Sequence, residues 1–167
     1  NQSYILKINL HENKIIQKIK VPDPSVFGEG ITIFYDTLYQ LTYKNKMVFV
    51  YHAKDLSKIK TMPFPKSEGW GMTHDANHII AGDGTNQLYF IEPNSFKILS
   101  TLQVSDNYGP AGNLNELEYF IGFIYANVWQ ENTILKINIS TGQVIGKIDL
   151  TGILDKAGVQ YDKGKID

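Results

Sequence analysis

The sequence predicts an all-β protein, and three observations carry that prediction. Short runs rich in Ile, Val, Tyr, Phe and Thr occur along the whole chain, separated by Gly, Asn, Asp and Pro. Stretches with the period of a helix are hard to find, and units of strand, turn and strand repeat along the chain. The 167 residues are 43% hydrophobic and 20% charged, which supports a packed core and argues against bulk disorder.

The clearest element is a pair of strands joined by a polar turn, and it occurs four times. The predicted pairs are 4–10 with 15–19, 47–51 with 57–60, 87–91 with 96–99, and 133–138 with 144–148. Equivalent residues of the four pairs are Ile8, Tyr51, Ile91 and Ile137, which lie 43, 40 and 46 residues apart. A period of this length indicates a structural repeat.

Two more strands are predicted before each of the last three pairs. They lie at 30–33 and 37–43, at 71–73 and 78–82, and at 117–120 and 123–129. Four strands in a period of this length are typical of a β-propeller blade, whereas a solenoid would need helices. We therefore predict one β-propeller domain over residues 1–167. Its blades are 27–62, 68–104 and 113–150, preceded by the outer two strands of another blade at 3–21.

About three and a half blades are fewer than the roughly 4–8 with which propellers close. We therefore expect the domain to be truncated at both ends, with its remaining strands before residue 1 and after residue 167. The last segment, 151–167, is polar and rich in turn residues.

Composition excludes several functional classes. The formal net charge of -1 argues against nucleic-acid binding. The absence of cysteine excludes disulfides, a thiolate zinc site and a cysteine nucleophile within this chain. No apolar run approaches the ~20 residues that span a bilayer, so no membrane segment is predicted. His74 and His78 flank a predicted hairpin turn, which disfavours a metal site there.

Candidate functional residues occupy equivalent positions near one end of the predicted inner strands. Two such rows occur: Glu29, Trp70 and Asn115, and then Tyr43, Asp83 and Trp129. Equivalent positions converge at the mouth of a propeller channel. Because a purely structural repeat tends to repeat the same residue, the unlike residues favour a functional mouth, although Asp83 also opens a predicted tight turn.

Six segments resemble motifs of the plant and bacterial type of glutaminyl cyclase, the glutamine cyclotransferase family. They are FGEGIT at 27–32, QLTYK at 40–44, EGWGMT at 68–73, DG at 83–84, LNELEY at 114–119 and YANVW at 125–129. The resemblance implies a five-bladed β-propeller that converts the N-terminal glutamine of peptides or proteins to pyroglutamate and releases ammonia. It implies catalysis without a cofactor and leaves a structural metal ion open.

The resemblance also implies roles for particular residues. Glu29 matches the acid/base glutamate of the family, and Asn115 matches the asparagine that holds the substrate. Phe27, Trp70 and Trp129 match aromatic residues of the substrate pocket.

The sequence departs from the family pattern at three points. Tyr43 stands where the family usually has Trp. The family motifs Phe-Thr-Gln-Gly-Leu and Asn-Gly-Ile-Ala with Thr-Gly-Lys-x-Trp-Pro, whose lysine lines the site, are absent from the 167 residues. By family order they precede residue 1 and follow residue 167. A secreted, periplasmic or endomembrane location is implied by the family only, and the chain itself leaves the compartment open.

The residue types fit this chemistry. The Glu29 carboxyl can take a proton from the attacking amine and pass it to the leaving nitrogen. The aromatic rings would desolvate Glu29 and raise its pKa toward neutrality. Asn115 can donate to the oxyanion or accept from the amine.

Two other functions stay open. One is a non-catalytic propeller that binds a peptide or protein through the same aromatic mouth. The other is a propeller hydrolase or lactonase, which needs several carboxylate and Asn ligands around a central metal. Glu116 and Glu118 would have to provide those ligands from a single strand, so this third function is the least favoured.

Overall fold

The computed structural model describes residues 2–158, and Asn1 and residues 159–167 of the predicted domain lie outside the described residues. A two-stranded sheet opens the chain, with β1 (Tyr4–Asn9) antiparallel to β2 (Lys14–Lys20). Its turn is held by the Asn9 side chain, whose oxygen accepts from the backbone N–H groups of His11 and Glu12. Asn favours such turns because its side chain reaches backbone groups two or three residues ahead.

Three four-stranded antiparallel sheets follow. The first contains β3 (Gly28–Phe34), β4 (Thr37–Thr42), β5 (Met47–His52) and β6 (Lys58–Pro63). The second contains β7 (Met72–His74), β8 (Ile79–Gly82), β9 (Gln87–Ile91) and β10 (Ile98–Gln103). Within each sheet, every strand pairs with the next one along the chain.

The third four-stranded sheet is separated from the second by a short hairpin. The hairpin pairs β11 (Ser105–Asp106) with β12 (Gly109–Pro110). The third sheet contains β13 (Leu114–Phe120), β14 (Phe123–Val128), β15 (Thr133–Asn138) and β16 (Val144–Asp149). Each blade predicted from the sequence therefore contains one four-stranded sheet in up-and-down order, the arrangement of a β-propeller blade.

The core consists of apolar layers between successive sheets. Leu41, Val50, Ile79 and Ile91 belong to the layer shared by the first and second sheets, and all four are almost completely buried. A second layer joins the second and third sheets, and a third layer joins the first sheet to β1 and β2. Their alternating apolar residues explain why these sequences form strands that stack face to face.

Two elements were not predicted from the sequence. The β11–β12 hairpin has only two residues per strand, too few to show an alternating pattern. The helix α1 (Ile153–Lys156) is a single turn within the polar final segment, and it buries none of its residues. Within residues 2–158, no helix has the length and apolar character needed to cross a membrane.

Candidate active site

Two glycines bring the first strands of the three sheets into close contact. Gly30 N donates a 2.8 Å hydrogen bond to the carbonyl oxygen of Trp70. A Cβ atom on Gly30 would collide with that same oxygen, and one on Gly71 would collide with the carbonyl oxygen of Asn115. Strands β3, β7 and β13 therefore lie side by side, with Glu29, Trp70 and Asn115 at adjacent strand starts, as the sequence predicts.

The second predicted row joins the mouth through backbone hydrogen bonds. Tyr43 N donates to the carbonyl oxygen of Phe27 at 3.0 Å, and Trp129 N donates to that of Asn113 at 2.9 Å. The same bond thus recurs in the first and third sheets, which places Tyr43 and Trp129 at equivalent positions. The side chain of Phe27 is 51% exposed, so this ring lies at an open surface.

The two tryptophans meet edge to face at the mouth. The ring centroids of Trp70 and Trp129 are 5.7 Å apart, and the ring planes make an angle of 79°. Gly84 has a φ of 78°, a left-handed conformation that favours glycine, and a Cβ there would collide with the Trp70 ring. Trp70 therefore lies between a glycine backbone and the second indole, which fixes its orientation.

Asp83 supports this arrangement by holding the turn beneath Trp70. Its carboxylate accepts a hydrogen bond from the Tyr89 hydroxyl at 2.7 Å and from the Thr85 hydroxyl. The Tyr89 residue is 1% exposed, so its hydroxyl anchors the carboxylate from inside the sheet. Within the described part of the chain, the contacts of Asp83 are those of a turn residue.

Glu68, which the sequence pattern does not single out, connects three residues of the mouth. The indole Nε1 of Trp70 donates to Glu68 Oε2 at 3.0 Å, and Lys44 Nζ lies 3.4 Å from Glu68 Oε1. Lys44 Nζ also lies 4.6 Å from the centroid of the Tyr43 ring. In the sequence, Glu68 stands two residues before Trp70. This spacing alone does not predict that the Trp70 indole donates a hydrogen bond to Glu68.

Glu29 is half-buried and its carboxyl accepts no hydrogen bond from any residue of 2–158. Burial raises its pKa from the ordinary value of 4.5 to about 7, and the negative charges of Glu116 and Glu68 add to the rise. A raised pKa is the direction predicted from the sequence. A carboxyl group of this kind is poised to accept and donate a proton near neutral pH.

Glu116 is a second carboxyl at the same junction. Its Oε1 atom accepts hydrogen bonds from the backbone N–H groups of Met72 and Leu117, both at 3.4 Å. Burial raises the pKa of Glu116, although these two donors oppose the rise. The side chain of Asn127 accepts from Glu116 N at 2.8 Å and thereby holds this part of β13 in place.

Asn115 is half-buried, and within residues 2–158 no protein group occupies its side-chain amide with a hydrogen bond. The amide therefore keeps both donors and its acceptor for a ligand. The mouth thus brings together one carboxyl group with a raised pKa, one amide and two indoles.

In the part of the chain that the structure describes, no three His, Asp or Glu side chains lie close enough together to hold a metal ion. His74 and His78 flank a turn in which Asp75 accepts from Asn77 N at 2.7 Å and from His78 N at 2.6 Å. The His78 ring also lies 3.1 Å from Asp75, so these residues stabilise the hairpin that the sequence predicts there.

The three four-stranded sheets, with carboxyl, amide and indole groups at one end, define a partial β-propeller. The chain belongs to the glutamine cyclotransferase family, whose model matches residues 1–165. It is 32% identical over 150 residues to a glutaminyl-peptide cyclotransferase of Arabidopsis thaliana, covering 90% of this chain and 47% of the relative. The chain thus spans about half the length of this curated relative.

Two solved structures have folds similar to that of this chain. The crystal structure of Myxococcus xanthus glutaminyl cyclase is similar with a TM-score of 0.85 and 28% identity, over 96% of this chain and 68% of that one. The Pan2 WD40 domain of Neurospora crassa is similar with a TM-score of 0.56 and 10% identity, over 82% of this chain and 44% of that one. The second similarity concerns the fold alone.

Proposed function

We propose that this chain carries the catalytic centre of a glutaminyl-peptide cyclotransferase, which closes the N-terminal glutamine of a peptide or protein to pyroglutamate and releases ammonia. The observation that carries the proposal is Glu29, a carboxyl with a pKa of about 7 beside Trp70 and Asn115 in a member of this family. A group that exchanges a proton near neutral pH is what this reaction needs from the protein.

The reaction moves one proton between two nitrogens of the same residue. The neutral α-amine attacks the side-chain carboxamide carbon, and a carbon–nitrogen bond forms. The ionised Glu29 takes a proton from that nitrogen and delivers it to the amide nitrogen. The bond from carbon to the amide nitrogen then breaks, ammonia leaves, the ring carbonyl re-forms and Glu29 is ionised again. A pKa near 7 lets Glu29 serve as base and then as acid at little cost.

The remaining mouth residues hold the substrate in a reactive conformation. The attack is intramolecular, so most of the advantage comes from holding amine and carboxamide within reach of each other. The Asn115 amide can donate to the oxygen that becomes negative as the amine attacks. Phe27, Tyr43, Trp70 and Trp129 would form the walls around the substrate and keep water away from Glu29.

The Glu29→Gln variant tests the proposal, with Glu92→Gln as the matched control. Ammonia release and the loss of 17 mass units from a glutaminyl peptide, the mass of one ammonia, are followed together. We expect Glu29→Gln to lower turnover by about 10²- to 10⁴-fold, and Glu92→Gln to leave it unchanged. Normal turnover by Glu29→Gln, or no ammonia release from the unmodified chain, would contradict the proposal.

The exposure of the aromatic residues favours one other function. Trp129 is 42% exposed and Phe27 is 51% exposed, so the mouth could bind a peptide without reacting with it. Peptide binding without ammonia release would favour this non-catalytic function. A chelator provides a further control, because turnover that survives chelation is what Glu29 chemistry predicts and what a metal hydrolase would not show.

A further inference from the structure

The acidic residues around the mouth differ in how their charges are compensated. Glu68 lies 3.4 Å from Lys44, and the carboxylate of Asp83 is held by hydroxyl groups. Glu29 lies between its two protonation states near neutral pH. Within residues 2–158, Glu116 forms no salt bridge, and the charge that acts on it is that of another acid, Glu118.

Glu116 is exposed, and two long backbone hydrogen bonds orient its carboxylate. The Met72 and Leu117 N–H groups both bind Oε1, which leaves Oε2 without a partner among the described residues. Met72 directly follows Gly71, where β7 is sandwiched between the strand that carries Glu29 and the strand that carries Glu116. The two carboxyl groups therefore flank the same short stretch of backbone, close enough for the charge of one to act on the other.

The mouth offers a second attraction for a cation. The edge-to-face pair of Trp70 and Trp129 presents indole rings at the same opening, and indoles are the best side chains for cation–π contacts. A positively charged group bound there would meet an uncompensated carboxylate and an aromatic wall. The free N-terminus of a peptide is such a group, because its ordinary pKa is about 7.7–8.0.

We infer that Glu116 is the residue that recognises the α-ammonium group of the substrate, with Oε2 accepting its hydrogen bond. This inference rests on the proposed function and adds a specificity-determining residue to it. A carboxylate accepts from an ammonium and from a neutral amine alike, so the contact persists after the nitrogen loses its extra proton. Glu116 would thus hold the nucleophile from one side and leave it within reach of Glu29, which takes its proton.

The same contact explains how product could leave. In pyroglutamate the nitrogen belongs to an uncharged ring amide with a single N–H, so it no longer forms an ion pair with the Glu116 carboxylate. The amide keeps a hydrogen bond but lacks the Coulomb attraction between two opposite charges. The mouth should therefore bind the open N-terminus more tightly than the cyclised one.

The experiment measures binding with a probe that cannot cyclise. The probe is a short peptide amide with N-terminal methionine sulfoxide, whose side chain resembles glutamine but has no carboxamide carbon to attack. Its N-acetylated form is the uncharged comparison. Titration calorimetry of both peptides against the chain gives the preference for a free ammonium group.

We expect the chain to bind the free-amine probe about tenfold or more tighter than the acetylated probe. Glu116→Gln should lose most of this preference, and Glu118→Gln, two residues along the same strand, should keep it. Added salt should also weaken the preference of the unmodified chain for the free-amine probe, because salt screens charges. This measurement does not depend on the folding of a variant. An unchanged preference in a folded Glu116→Gln, or no preference in the unmodified chain, would overturn the inference.

The binding measurement and the ammonia measurement distinguish a failure of the role of Glu116 from a failure of the proposed function. A chain that prefers the free-amine probe but releases no ammonia from a glutaminyl peptide would retain the role of Glu116 and contradict the proposed function. A chain that turns over normally while Glu116→Gln keeps its preference would contradict only the role of Glu116.

Discussion

Two glutamates of this chain, Glu29 at the mouth and Glu92 in the turn after β9, occupy opposite electrostatic surroundings. Burial and two neighbouring acids raise the pKa of Glu29 to about 7. Hydrogen bonds from Ser95 and Asn94 lower the pKa of Glu92 to about 2. The backbone N–H groups of both donors lie within 2.9 Å of the Glu92 carboxylate.

This difference distinguishes a carboxyl group that stays ionised, Glu92, from one that takes up a proton near neutral pH, Glu29. The turn of Glu92 brings donors to both oxygens, so the ionised carboxylate stabilises the turn. The mouth instead removes Glu29 partly from water and places it near two other acids, which is unfavourable for a negative charge. The same type of side chain therefore stabilises a turn at one site and, in the function proposed above, transfers a proton at the other.

The largest expected effect comes from the backbone that creates the mouth. Gly71→Ala would place a methyl group against the carbonyl oxygen of Asn115, so β7 and β13 must separate. We expect a loss of about 3 kcal/mol or more in the free energy of unfolding, measured by urea denaturation. Gly82→Ala is the control, because a Cβ there has its nearest neighbour at 3.6 Å. Equal stability of the two variants would contradict this account of the junction.

An intermediate effect is the opposite pH dependence of the two glutamates. Because the folded pKa of Glu29 is raised, its contribution falls as the pH rises from about 4.5 through about 7. Glu29→Gln should therefore gain stability relative to the unmodified chain over this window, by about 1–2 kcal/mol since solvent screens a half-exposed group.

Glu92 should behave in the reverse sense. Its folded pKa is lowered, so its contribution is present above about 4.5 and is lost as the pH falls toward about 2. Glu92→Gln should be less stable than the unmodified chain at neutral pH and equal to it at the acid end. Urea denaturation across the pH range gives the free energy of unfolding of both variants. The same pH dependence in Glu29→Gln and Glu92→Gln would contradict the opposite surroundings of the two glutamates.

The smallest expected effect concerns Glu68, whose charge also acts on Glu29. Glu68→Gln removes one negative charge and frees Lys44 from its partner, so the pKa of Glu29 should fall. The fall should be smaller than in Glu116→Gln, since Glu116 has the stronger influence of the two. Carboxyl NMR titration measures both shifts. Exposed Glu12, at the turn after β1, provides the control Glu12→Gln, which should have no effect.

The strand order and the predicted rows could be found from the sequence because they follow from repetition. Equivalent residues such as Tyr43 and Trp129 keep their places because the same backbone hydrogen bond recurs at the same point of two sheets. The roles of Glu68 and Glu116 could not be found in this way. Both depend on which donors a flexible side chain reaches, and those donors belong to Trp70, Lys44 and Met72.

At the mouth of this propeller, burial and two neighbouring acids raise the pKa of the Glu29 carboxyl to about 7. The most direct test is a carboxyl NMR titration of the unmodified chain, with Glu29 and Glu92 assigned by their Gln variants. We expect a titration midpoint of about 7 for Glu29 and of about 2 for Glu92. A midpoint for Glu29 at the ordinary value of 4.5 would contradict it.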